Sequence, residues 1–75
     1  SKIRTMYFLV FERLLEDLEE RREESLIRER FLSRLDQGYE RGRLPAEIVR
    51  DFIAGLTDSA FLRLFKELFV PEVLE

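Results

Sequence analysis

"VRDFIAGLTDSAFLRLF", Val49 to Phe65, decides the fold. Ile48, Val49, Phe52, Ile53 and Leu56 recur at three- and four-residue spacing, the stripe of an amphipathic helix. Gly-Leu-Thr-Asp interrupts it, and a second stripe starts at once through Phe61, Leu62, Phe65, Leu68 and Phe69, ending before Pro71. Gly55 is expected to close the first helix in a left-handed conformation, which glycine adopts cheaply. Thr57 or Asp58 is placed to accept a hydrogen bond from the free N–H groups of the next helix. The stretch therefore predicts a helix–cap–helix corner at Gly55–Asp58.

Upstream, Pro45 suits a first helical turn, having no N–H to leave unbonded and a preset φ. "DQGYERGRLP", Asp36 to Pro45, carries two glycines and reads as a loop. Leu26, Ile27, Phe31, Leu32 and Leu35 give another helical stripe, with Ser25 as its expected cap. Between Leu18 and Leu26 the apolar pattern falls silent in "EERREES", where a break is expected although no Gly or Pro enforces it. Before it, Ile3, Tyr7, Val10, Phe11, Leu14, Leu15 and Leu18 mark a helix of roughly five turns. Met6, Phe8 and Leu9 widen that stripe at its start. No period-two run occurs, so the expected class is all-α: about four amphipathic helices in a small bundle, one domain over residues 1–75.

With 75 residues, the chain sits at the lower edge of what one core stabilises unaided. It has no Cys and no His, which removes disulfides, zinc sites of the usual kind, His-based general bases and catalytic triads. Three scattered glycines make no phosphate loop. "TMYFLVF", Thr5 to Phe11, is the longest uncharged run and far too short to span a bilayer. A cytoplasmic setting without a membrane is the expectation. The net charge of −3 disfavours general binding to nucleic-acid backbones.

Charge is nevertheless uneven. Glu12 to Glu24 holds seven acids and three arginines, whereas Arg28 to Arg43 holds five arginines against three acids. Acid pairs such as Glu16 and Glu20 read as a solvated helix face rather than a cation site. Arg41, Arg43 and Arg50 are the candidate anion contacts, since guanidinium pairs well with phosphate oxygens. Pairing with Glu40, Glu47 or Asp51 is the favoured account of these arginines. A broader nucleotide-binding use of Arg28, Arg30, Arg34, Arg41 and Arg43 ranks third. The seven phenylalanines fall on helical stripes and are expected mainly in the core. They are also more apolar bulk than so small a chain can bury, so an exposed patch is expected.

"VRDFIAGLTDSAFLRLFKELF" resembles the C-terminal helical region of the HD-superfamily dNTP triphosphohydrolases, the deoxyguanosine triphosphate triphosphohydrolase-like proteins. Asp51, Ile53, Ala54, Gly55, Thr57 and Asp58 match the family's recurring string, with Phe52 for Tyr and Leu56 for Met. Ser59 stands where the family has Arg, and Ala60 where it has an aromatic, so no role of that arginine carries over. The helix "FLVFERLLEDLEE", Phe8 to Glu20, matches more generically. The resemblance implies a C-terminal fragment of a larger phosphohydrolase, with no catalytic, metal or cofactor residue of its own. A divalent metal would be bound upstream. It also implies packing on the missing catalytic domain of the same chain and homo-oligomer formation. The alternative is a free-standing helical module that self-associates or grips a partner.

Overall fold

The computed structural model describes residues 1–70. Five α-helices follow in order: α1 (Lys2–Glu19), α2 (Leu26–Arg30), α3 (Gln37–Arg41), α4 (Pro45–Ala54) and α5 (Asp58–Phe69). A single 3₁₀ turn, Leu32–Arg34, lies between α2 and α3. No strand is present among the described residues. The chain is a small all-α bundle, as the periodicity predicts.

Helix α1 starts at Ser1, whose side chain accepts from the Arg4 N–H at 3.3 Å. It ends in a Schellman motif, which satisfies two of its last carbonyls. Arg21 N–H donates to the Leu18 carbonyl at 3.1 Å, and Arg22 N–H to that of Asp17 at 2.9 Å. The motif requires a left-handed residue, and Arg21 supplies it with φ 55°. The break after Leu18 is thus real, and it is made without the glycine that normally marks it.

The next stripe does not give one helix. Phe31, at φ −121° and ψ −65°, ends α2, and the chain tightens into the 3₁₀ turn. Ile27 and Leu32 stay buried, while Leu35 is left exposed. Ser25 holds the N-cap position of α2, but its side chain accepts no capping hydrogen bond. The expected Ser25 cap is corrected accordingly.

The expected loop from Asp36 to Pro45 also needs correction, because it contains α3. Asp36 caps that helix by accepting from the Gly38 N–H at 3.1 Å. Helix α4 begins with Pro45 as its first residue. There the Glu47 carboxylate reaches back to accept from the Leu44 N–H at 2.8 Å, half of a capping box.

The core is drawn from every long helix: Val10, Leu14 and Leu18 of α1; Ile48, Val49, Phe52 and Ile53 of α4; and Leu64 of α5. Ile27 and Leu32 close it from the α2 side. The aromatics organise its flank. Phe31 packs against Phe52 at 5.3 Å between centroids and edge-on to Tyr39 at 5.7 Å. Helix α1 runs parallel to α5. The Tyr7 ring stacks on Phe61 near the start of both helices, and Arg13 and Asp17 share a cleft with Lys66 and Glu67 near their ends.

Candidate functional site

The string that resembles the phosphohydrolase region forms the α4–α5 corner. Ile53 is buried and Ala54 exposed, so the helix presents one side to the core up to its last turn. Gly55 is the C-cap, at φ −86° and ψ −3°, right-handed rather than left-handed. The expected left-handed glycine is therefore corrected. The turn closes instead through short bonds, Gly55 N–H to the Phe52 carbonyl at 3.2 Å and Leu56 N–H to that of Ile53 at 3.0 Å. Of the two candidate caps, Thr57 does the capping, accepting from the Ala60 N–H at 3.1 Å. Asp58 is the first residue of α5, where a carboxylate favours the positive end of the helix dipole.

Asp51, one turn before the corner, gathers its neighbours. Tyr39 Oη donates to Asp51 Oδ2 at 2.6 Å, and Arg50 donates to Oδ1 through Nη2 at 3.2 Å. Arg43 Nε lies 3.9 Å from Oδ2. The Arg43 guanidinium also covers the Tyr39 ring, 4.0 Å from its centroid, and donates to the Tyr39 carbonyl at 3.0 Å. The Tyr39 hydrogen bond is the main cause holding the Asp51 carboxyl below its usual range; partial burial opposes it, and Arg50 and Arg43 add to it. Burial, then the same carboxylate, pushes the Tyr39 hydroxyl above its usual value.

Two of the three candidate anion-binding arginines are thus brought together on Asp51. Arg41 is not: on α3 it donates to Gln37 at 3.3 Å, one turn back. The same pattern holds in the basic segment, where Arg28 pairs with Glu40 at 3.2 Å and Arg30 with Glu67. Structural pairing accounts for these side chains.

A second polar cluster was not legible as such. Asp17 is only 2% exposed, although its position on α1 belongs to the apolar stripe. Arg22 Nη1 donates to Asp17 Oδ1 at 2.8 Å, and Arg13 Nε lies 3.4 Å from the same atom. Arg22 also contacts Glu16 and Glu20, and the Asp17 hydrogen bond is the largest influence keeping it protonated. Just behind, Ser25 Oγ is buried with no hydrogen-bond partner. A cleft of about 1110 Å³ opens over this cluster, lined among others by Arg13, Arg22, Glu24, Lys66 and Glu67. Its two signs of charge answer each other and select no ligand charge. Asp17 was hidden by its setting, since "LLEDLEE" reads as a solvated acidic face.

The remaining feature is apolar. Ile3, at 75% exposure, and Tyr7 lie on the same side of α1 as Val10 and Leu14, yet the bundle stops short of covering them. Phe8 is 58% exposed, and on α5 Leu62 is open as well. Phe8 and Phe69 are thereby corrected from core to surface, while the expected exposed patch is present. Among the described residues, no helix is long and apolar enough to cross a membrane. None of their His, Cys, Asp or Glu side chains gather in threes able to hold a metal ion.

The fold and site define a small all-α bundle with a capped helix corner and an uncovered apolar strip. No protein-family model, curated protein or solved structure matches the chain.

Proposed function

We propose that this chain is a non-catalytic helical packing module, the accessory C-terminal region of an HD-superfamily dNTP triphosphohydrolase-like enzyme. The observation that carries the proposal is how the side chains of the shared string are used. Asp51 is taken up by Tyr39, Arg43 and Arg50, and Thr57 by the first turn of α5. Residues so occupied build a scaffold and are not free to bind substrate. In this proposal the catalytic domain lies upstream with the divalent metal and its ligands, and the apolar end of α1 packs against it. The test reads the coding sequence upstream of Ser1. An in-frame segment carrying His and Asp metal ligands, with dNTP hydrolysis by the longer product and none by residues 1–75, is the expected result. A reading frame that opens near Ser1, or turnover by residues 1–75 alone, overturns it.

A second reading is a free-standing module that associates with its own kind. The exposure of Ile3, Tyr7 and Phe8 on one helix favours it, because side chains of that size stay open at a cost unless something covers them.

A further inference from the structure

We propose that two copies of this chain pair through α1, antiparallel, about a two-fold axis passing by Phe8. The inference rests on the second reading above and competes with the upstream-domain proposal for the apolar end of α1.

The exposed side of α1 is written symmetrically about that residue. Arg4, Phe8 and Glu12 stand four residues apart, and so form one row along the helix. Ile3 and Tyr7 form the neighbouring row, which continues to the half-buried Phe11. The Arg4 side chain and the Glu12 carboxylate make no ion pair among the described residues. Turning a second α1 end over end about Phe8 sets Arg4 of each copy at the level of Glu12 of the other, with Phe8 against Phe8. A parallel pair would instead set Arg4 on Arg4 and Glu12 on Glu12. The surface is thus self-complementary in one orientation only, as a two-fold contact requires.

The helix dipole argues the same way. The first turn of α1 holds no acid and its last turn no base, while Lys2 and Arg4 crowd the positive end. These charges oppose the dipole at its start. An antiparallel neighbour brings Glu12 toward that basic end and relieves it.

Area decides what strength to expect. With full areas on the order of 150–250 Å² for large side chains, the open parts of Ile3, Tyr7 and Phe8, which share the two rows, come to roughly 350 Å². A two-fold contact buries that from each copy, so about 700 Å² of apolar surface in total, with Arg4 and Glu12 adding a polar rim, the size of a weak, transient interface. A weak dimer follows, in exchange with monomer and populated toward millimolar concentration.

The experiment is sedimentation equilibrium on the whole chain from high micromolar to low millimolar concentration, with circular dichroism to confirm that each variant is helical. The wild-type chain should dimerise. Arg4→Glu and Glu12→Arg, both at exposed positions, should each weaken the homodimer by on the order of tenfold or more. Mixing the two variants should restore the dimer, because both end contacts then become opposite in sign. Phe8→Glu should leave only monomer. A chain that stays monomeric throughout overturns both this pairing and the self-association reading. A dimer indifferent to Phe8→Glu, or single-charge variants not rescued by mixing, overturns the pairing while self-association stands.

Discussion

Tyr39 and Asp51, from α3 and α4, are joined by a 2.6 Å hydrogen bond that ties the short helix to the corner-bearing one. Stability should depend on pH at both ends of this bond. Asp51 is depressed in the folded state, first by the Tyr39 hydroxyl. Its contribution is therefore present above the unfolded carboxylate pKa, about 3.9, and is lost as pH falls through the lower folded value. Tyr39 is raised, first by burial, so its contribution is present below about 10 and lost as pH climbs through the higher folded value. Tyr39→Phe should lower the melting temperature by a few degrees at neutral pH and weaken the acid-side slope. Identical acid unfolding profiles for the two proteins would show that the bond is not made in solution.

Arg21 occupies a left-handed position that glycine fills without strain. Arg21→Gly should stabilise the chain by about 0.5–1 kcal/mol, since the gain in φ freedom exceeds the added flexibility of the unfolded chain. Urea titration at neutral pH measures it. A loss of stability would mean that the Schellman turn relaxes when the chain is free.

Ser25 buries a hydroxyl without a partner, and lines the same cleft as Asp17 and its arginines. Ser25→Ala removes that burden and should gain about 1 kcal/mol. Destabilisation on chemical denaturation would instead reveal a capping or water-mediated bond at Ser25. Asp17→Leu should be better tolerated than Asp17→Ala, by about 1 kcal/mol, because leucine continues the apolar stripe and both arginines can turn to water. The reverse order would show that the arginines need their carboxylate.

The corner yields a pair of opposite expectations. Thr57→Ala deletes a cap and should cost about 1 kcal/mol. Gly55→Ala should be neutral or gain up to about 1 kcal/mol, because φ is already −86° and an added Cβ comes no closer than 3.7 Å to the Phe52 carbonyl oxygen. Thermal melts of the two variants check both. A large penalty at Gly55 would restore the left-handed turn that composition suggests.

Sequence periodicity was sufficient for the three long helices, because buried and exposed positions alternate there at helical spacing. The corner was legible too, since Thr57 does what its residue type favours. Reading failed where geometry departed from residue preference. Arg21 took a conformation expected of glycine, and Gly55 declined one. Asp36 capped a helix inside a segment whose glycines suggest only loop. Asp17 stayed hidden because burial of a carboxylate depends on arginines folding back over it, which no spacing rule announces. The uncovered end of α1 was foreseen as an amount of apolar bulk but not as a place, for only tertiary packing decides where coverage stops.

The parallel seating of α1 on α5 has a kinetic meaning. Helices α4 and α5 are neighbours in sequence with their cap built in, yet each packs chiefly on α1, which comes from the far end of the chain to reach them. Contacts between distant residues form against the entropy of the intervening chain and report the slow step of assembly. The molecule therefore has a seam. When it opens, Val10 and Leu14 are uncovered together with the α4 side chains they cover, so no packed core is left behind. Amide exchange in α1 and α4 should then proceed as one event, at a common slow rate.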